Sequence, residues 1–133
     1  HSSFVEFGGI WPPHCVEGTR GGAIHESFYT KVENPANRPD PKRNIFRKGC
    51  KQDEEQYSGF EAVNTNGIAL KDYANKDVVV SGIATEYCVR NTAEEFLKSG
   101  RNVELILSGL GYVDFEGHKK TIKELREIMT VVE

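Results

Sequence analysis

Two runs of apolar residues in the second half of the chain predict buried β-strands. The first, Asp77–Gly82, reads DVVVSG, and the second, residues 103–107, reads VELIL. The first run is apolar at successive positions, which is typical of a parallel strand covered on both faces. A third, weaker candidate strand is residues 44–47, which lead directly into Lys48 and Gly49.

Each of the two strong strand candidates is followed by apolar positions at helical spacing. Behind the first strand, Thr85 is a predicted N-cap and Gly100 a predicted C-terminal stop. Between them the apolar positions recur at i, i+4, i+7 and i+8, namely Val89, Ala93, Phe96 and Leu97. A last helix is predicted from Ile122, Leu125, Ile128 and Met129, and a short earlier one from Ile68, Leu70, Tyr73 and Ala74.

The alternation of strand and helix predicts an α/β fold in which a parallel sheet carries helices on its faces. A chain of 133 residues has the size of one domain, so residues 1–133 are interpreted as a single domain. Residues 31–43, rich in proline and charge, read as an exposed loop within it. Ligands bind beyond the carboxyl ends of parallel strands, which is where the segment from Gly82 to Cys88 begins.

Composition narrows the class of partners rather than the fold. The chain carries a net charge of −3, so neither nucleic acid nor an anionic membrane surface is an expected partner. No apolar run approaches the roughly 20 residues that cross a bilayer. Three cysteines (Cys15, Cys50 and Cys88) without CxxC spacing disfavour a disulfide framework and predict a reducing, cytoplasmic location.

Cys88 is the cysteine whose position suggests chemistry. If Thr85 caps the helix, Cys88 lies in the first turn, where free backbone N–H groups stabilise a thiolate. The same N–H groups fit the oxyanion that forms when a thiolate attacks a carbonyl. The alternative, which position alone favours, is a buried cysteine with only a packing role.

Other residues invite a functional interpretation, each beside a plainer one. Two prolines stiffen the backbone before His14, which fits a metal ligand next to the Trp11 ring or a surface histidine in a packed loop. Lys48 fits a cation that stabilises a thiolate, or a solvated lysine. Tyr57 fits the wall of a pocket for a flat ring, or a packed aromatic turn. The remaining internal histidines are interpreted as ordinary surface residues: His25 and His118.

Together these motifs resemble a known family. The segments WPPHCVEGTRGG (residues 11–22), RKG (47–49) with QYSGF (56–60), and VSGIATEYCVRNTAEEFLKSG (80–100) are similar, in order and near spacing, to nicotinamidases (pyrazinamidases) of the isochorismatase-like hydrolase superfamily. The resemblance covers essentially the whole chain, and the last segment is the most specific. It implies a three-layer, Rossmann-type parallel sheet with helices on both faces. The fold is expected to be N-terminally incomplete, because the family's first strand has no counterpart here.

The resemblance implies a catalytic Cys–Lys–Asp triad. Cys88 matches the nucleophile and Lys48 the triad lysine. The backbone N–H groups of Ala84 and Cys88 match an oxyanion hole, with a cis peptide expected between Ile83 and Ala84. The family's aspartate has no counterpart, since the carboxylate of Glu86 stands at another position of the motif.

The resemblance also implies a substrate pocket and a metal site. Trp11 and Tyr57 match aromatic residues that sandwich a pyridine ring, and Ile83 is expected as a third substrate contact. His14 and His1 match metal-binding histidines, with one divalent ion expected to bind the ring nitrogen. Zinc is favoured, and iron or manganese are the alternatives.

The implied activity is hydrolysis of nicotinamide to nicotinate and ammonia through a cysteine thioester, in NAD salvage, with pyrazinamide as a further substrate. A related amidohydrolase acting on another small amide is one alternative. A non-catalytic isochorismatase-like binding module is the other. The expected partners are the small-molecule substrate, a second copy of the chain in a homo-oligomer, and an upstream segment that completes the sheet.

Overall fold

The computed structural model describes all 133 residues, from His1 to Glu133. Regular structure is concentrated after residue 69. There the order is α2 (Leu70–Tyr73), β1 (Asp77–Gly82), α3 (Arg90–Lys98), β2 (Asn102–Leu110), α4 (Phe115–Leu125) and β3 (Thr130–Val132). The earlier part holds only the short helix α1 (Ser27–Thr30) and three single 3-10 turns, Val5–Phe7, Arg20–Gly22 and Pro35–Asn37.

The three strands form one parallel sheet in the order β1-β2-β3. Val78 pairs with Val103, and Leu105 pairs with Val80 on one side and Val131 on the other. β1 therefore lies at one edge of the sheet. The predicted first strand has the bounds found in the structure, while β3 was not predicted.

The hydrophobic core lies on one face of this sheet. Val103 and Leu105 of β2 are buried there against three residues of the first helical region and one of α4: Val89, Ala93, Phe96 and Leu125. The α/β fold with a parallel sheet is thus confirmed. The prediction that β1 is covered on both faces holds for only one face, since Val79 is 59% exposed on the other.

Of the two predicted helix ends, that of α3 is confirmed and that of α4 is wrong. Gly100 has a φ of +84° and follows α3, where its N–H donates to the Leu97 carbonyl at 2.9 Å, so the predicted helix stop is confirmed. The last helix ends at Leu125, and the apolar Ile128 and Met129 lie in the turn beyond it. Their N–H groups both bond to the Leu125 carbonyl, which closes that turn before β3 begins.

The predicted strand at residues 44–47 is wrong. The backbone N–H groups of Asn44 and Ile45 both donate to the Asp40 carbonyl, which closes a turn instead of leaving an extended segment. Only Arg47 pairs in strand fashion, as an isolated bridge to Val63. No helix of the structure is both long enough and apolar enough to cross a membrane.

Candidate active site

Cys88 lies on a π-helical turn, Thr85–Val89, between the carboxyl end of β1 and the start of α3. We call this segment the Cys88 turn. The Ala84 carbonyl accepts the N–H groups of Tyr87 at 3.0 Å and Val89 at 3.1 Å, and so skips the N–H of Cys88 between them. The Cys88 thiol is free and half-buried. A free thiol is therefore held where parallel α/β sheets bind ligands.

The prediction of Thr85 as an N-cap is wrong. Thr85 is completely buried, and both its N–H and its hydroxyl donate to the Gly111 carbonyl, at 2.9 and 2.7 Å. The wider π-helical turn directs this side chain toward the end of β2 and away from the N–H groups of its own helix. Thr85 thereby joins the ends of β1 and β2 beneath Cys88.

The interpretation of His118 as an ordinary surface residue is wrong. Its ring is partly buried, with Nδ1 3.0 Å from Thr85 Oγ1, and is tilted by 36° against the Tyr112 ring at 4.9 Å between ring centroids. Because the Thr85 hydroxyl proton is used on the Gly111 carbonyl, Nδ1 of His118 carries the proton and donates. The surface interpretation is confirmed for His25, which is exposed.

Ala84 supplies a buried backbone donor next to the Cys88 turn. The peptide between Ile83 and Ala84 is cis, as predicted. Ala84 is 7% exposed, and its N–H donates to no carbonyl or side chain of the structure. A free N–H of a buried residue, on the same short segment as the thiol, is the kind of donor that stabilises an oxyanion.

Three aromatic rings meet beside Cys88. Trp11 Nε1 donates to the Tyr57 hydroxyl at 3.1 Å, and the Trp11 ring stands perpendicular to that of Tyr87 at 4.8 Å between centroids. Tyr57 and Tyr87 are 5.7 Å apart. Tyr87 was not predicted as a member of this aromatic cluster. Its position directly before Cys88 in the sequence could have identified it. Ile83, the third predicted substrate contact, is 68% exposed.

Lys48 is exposed and is tied to the segment that carries Tyr57. Its Nζ donates to the Gln56 carbonyl at 3.0 Å, and the next N–H, that of Gly49, donates to Gln56 Oε1 at 2.8 Å. Farther along the same segment, the Gly59 N–H donates to Thr92 Oγ1 at 2.8 Å, and Thr92 Oγ1 donates to the Cys88 carbonyl at 2.7 Å. These bonds connect Lys48 with the Cys88 turn, but Lys48 makes no hydrogen bond to Cys88 itself.

The predicted metal ligands lie on either side of Phe4, whose ring centroid is 6.1 Å from that of His1 and 5.4 Å from that of His14. His14 Nδ1 donates to the Pro12 carbonyl at 2.7 Å, which leaves Nε2 with a lone pair for a metal. His1 Nε2 donates to the Glu54 carbonyl at 2.9 Å, and its Nδ1 contacts Ser3.

The residues present do not fit a complete metal site. No three histidine, cysteine or acidic side chains converge on a common point, and His1 has both ring nitrogens engaged. Of the two predicted ligands, only His14 has an imidazole nitrogen with a free lone pair. Zinc takes at least three protein ligands in catalytic sites. The sharing of one ion by His1 and His14 stays a prediction.

An ionic cluster holds the segment behind Cys88 against α4. Arg90, the first residue of α3, donates to Glu94 at 2.8 Å and to Glu124 of α4 at 2.7 Å. The hydrogen bond that Arg90 donates to Glu94, followed by the one it donates to Glu124, raises the pKa of the Arg90 guanidinium. The cluster therefore links α3, which continues the Cys88 turn, to α4.

A surface cleft of about 580 Å³ adjoins the Tyr57 segment. It is lined by Tyr57 and Ser58 together with charged side chains, among them Arg47, Glu61 and Glu95. Cys88, Ala84 and Trp11 are not part of its wall. Of the residues around Cys88, the cleft therefore shares Tyr57 but not the thiol, the Ala84 N–H or the Trp11 ring.

Comparison with known proteins gives one family match and several similar structures. The isochorismatase domain model matches residues 2–133. A nicotinamidase/pyrazinamidase of Mycobacterium tuberculosis is 32% identical over 129 residues, which cover 94% of this chain and 63% of that protein. The chain thus spans somewhat less than two thirds of the length of that relative.

Two solved structures resemble the chain over its whole length. Pyrazinamidase of Pyrococcus horikoshii in complex with zinc is 34% identical with a TM-score of 0.77, and the match covers 100% of this chain and 68% of the other. PnC1 of L. infantum in complex with nicotinate is 31% identical with a TM-score of 0.78, covering 100% and 65%. Both similarities extend over the Cys88 turn, the sheet and the aromatic cluster.

Proposed function

The chain belongs to the isochorismatase domain family, and we propose that the full-length protein containing it is a nicotinamidase that hydrolyses nicotinamide to nicotinate and ammonia. The observation that carries the proposal is the half-buried free thiol of Cys88 beside the unbonded, buried N–H of Ala84. A thiol and an oxyanion donor on one short segment are what acyl transfer requires. The relatives' names supply the substrate class.

In the proposed reaction the Cys88 thiolate attacks the carboxamide carbon. A C–S bond forms, and the carbonyl π electrons move to the oxygen, which the N–H groups of Ala84 and Cys88 stabilise. Collapse of the tetrahedral intermediate breaks the C–N bond, and the amine leaves as ammonia after taking a proton. Water then attacks the thioester, which releases nicotinate and restores the thiol.

The surrounding side chains have supporting roles in this proposal. Trp11 and Tyr57 flank the pyridine ring, with Ile83 as a further apolar contact. The Lys48 ammonium stabilises the thiolate electrostatically. The base that takes the thiol proton is an aspartate outside residues 1–133, as the family resemblance implies.

A divalent metal, with zinc favoured, would supply a Lewis acid for the ring nitrogen. His14 would be a ligand through Nε2, and His1 would first have to give up its hydrogen bond to the Glu54 carbonyl. Because the described residues do not complete a metal site, no step of the reaction is assigned to a metal. The free thiols of Cys15 and Cys50 support a reducing, cytoplasmic location as part of the proposal.

The test is ammonia release from nicotinamide by the full-length protein and by three single cysteine variants. We expect Cys88→Ala to lower kcat by at least about 10³-fold, because the covalent step is lost. Cys15→Ala and Cys50→Ala, which remove exposed thiols, should keep most of the activity.

Three outcomes would contradict the proposal. Undiminished turnover in the Cys88 variant would remove the nucleophile assignment. A wild-type protein that hydrolyses another small amide but not nicotinamide would identify a related amidohydrolase. A protein that binds such amides without any turnover would identify a binding module.

A further inference from the structure

The Cys88 turn contains a carboxylate that no step of the proposed reaction uses. Glu86, two residues before Cys88, directs Oε1 at the start of α4, where it accepts the N–H of Val113 at 2.8 Å and of Asp114 at 2.6 Å. Asp114 in turn accepts the Gly117 N–H at 2.6 Å and caps α4. One carboxylate thus connects the Cys88 turn with the first residues of the last helix.

The other oxygen of Glu86 is buried and has no partner. Oε2 is inaccessible and makes no hydrogen bond. Burying half of a carboxylate without a partner is costly, and only the two N–H groups at Oε1 and the positive end of the eleven-residue helix α4 compensate. The contact to the start of α4 is therefore what keeps this side chain in place.

A second, adjacent residue attaches the Cys88 turn to the same connection. Thr85 bonds to the Gly111 carbonyl through its N–H and its hydroxyl. Glu86 bonds to Val113 and Asp114, a few residues farther along. Two consecutive residues thus fix the turn from one side, while the Ala84 carbonyl fixes it from the other.

We infer that Glu86 is a positioning residue: its carboxylate fixes the Cys88 turn so that the thiol and the Ala84 N–H address the same carbonyl group. This inference rests on the proposed function and deepens it. Glu86 does not act on the substrate and is not the missing base, because both N–H partners of Oε1 belong to the backbone. Its effect reaches the reaction through Cys88.

The variants Glu86→Ala and Glu86→Gln separate the parts of this role. Alanine leaves the Val113 and Asp114 N–H groups without their acceptor, so we expect kcat for nicotinamide to fall by at least about tenfold while KM changes by less than about threefold. Glutamine keeps one oxygen that can accept both N–H groups, so its loss of kcat should be smaller. Glu116→Gln is the matched control, since Glu116 is also in the first turn of α4 but is exposed and pairs only with Lys119.

Alkylation of Cys88 by iodoacetamide gives a readout that does not need turnover. The rate is measured by peptide mapping in the full-length protein, with Cys15 and Cys50 of the same molecule as internal references. We expect Glu86→Ala to change the Cys88 rate by at least about threefold relative to those two thiols. Glu116→Gln should leave all three rates unchanged.

The outcomes are distinguishable. An unchanged relative Cys88 rate and an unchanged kcat in a folded Glu86→Ala protein would overturn the inference. If the alanine variant does not fold, Glu86→Gln decides by the same two measurements. A wild-type protein without nicotinamidase activity would refute the proposed function, and the alkylation rates would still decide the role of Glu86.

Discussion

At Thr85 a single buried hydroxyl joins three segments. It donates to the Gly111 carbonyl and accepts from His118 Nδ1, and no water can replace it at a position with no accessible surface. Thr85→Val keeps the volume but leaves His118 Nδ1 without its acceptor, and the Gly111 carbonyl with only the backbone N–H of residue 85 as donor. We expect it to lower the free energy of unfolding of the full-length protein by about 1–3 kcal/mol, measured by chemical denaturation.

Two further variants, Thr85→Ser and Thr65→Val, separate the effect of burial on stability from the effect of losing a hydroxyl. Thr85→Ser keeps the hydroxyl and should lose clearly less stability than Thr85→Val. Thr65→Val removes an exposed hydroxyl that also donates to a carbonyl, that of Pro41 at 2.9 Å, and should cost less than about 0.5 kcal/mol. Equal losses for Thr65→Val and Thr85→Val would show that the buried network contributes nothing beyond an ordinary hydrogen bond.

Single residues were predictable where the signal lies within a few neighbouring positions. The place of Cys88 and the cis peptide before Ala84 both follow from one contiguous motif. Thr85 was assigned the wrong partner, because its bond to Gly111 spans 26 positions. The contacts of Glu86 and His118 were missed for the same reason, since each partner is contributed by another element of the fold.

At the scale of elements, the end of α3 depends on one glycine. Gly100 has a φ of +84°, and nothing lies within 4 Å of where its Cβ would be, so the backbone conformation alone disfavours a side chain. We expect Gly100→Ala to destabilise the full-length protein by about 1 kcal/mol, from the shift of its denaturation midpoint. Gly21→Ala, in ordinary backbone where a Cβ would make only an ordinary van der Waals contact with Thr19 Oγ1 at 3.8 Å, is the control and should change stability by less than about 0.5 kcal/mol. Indistinguishable midpoints for the two variants would contradict the assignment of strain to Gly100.

Helices and strands were predicted correctly where their apolar residues have the spacing of a helix or form a continuous β-branched run. The bounds of β1 were predicted correctly because the run is short and holds three consecutive valines, and short β-branched runs favour a strand over a helix. β3 was not predicted because its three residues are too few to show an apolar pattern of their own. The false strand at residues 44–47 has the right composition, but the bonds to Asp40, which form the competing turn, leave no trace in hydrophobic periodicity.

At the scale of the whole molecule, the sheet has one covered face, and β1 is one of its two edge strands. β1 pairs only with β2, so the backbone groups on its other side have no partner among residues 1–133. Val79 is 59% exposed, and only 12 of the 133 residues are buried. A core of this size beside an open apolar strand gives little stability and invites pairing with another chain. The fold class could be predicted from the order of elements, and the open edge at β1 agrees with the expectation, drawn from the family resemblance, that the family's first strand has no counterpart among residues 1–133.

The last prediction concerns residues 1–133 expressed alone. We expect this chain to self-associate through β1 and to lack nicotinamidase activity, because the family resemblance implies that a preceding strand pairs with this edge and carries the aspartate base. Size-exclusion chromatography and hydrogen exchange of the β1 amides, compared with those of β2, measure the association and the fraying.

Val79→Lys places a charge on the exposed face and should reduce self-association, as lysines do on natural edge strands. Val80→Lys, whose side chain packs against the core, should instead unfold the chain. A stably folded, fully active monomer of residues 1–133 would refute both the missing strand and the placement of the base outside them.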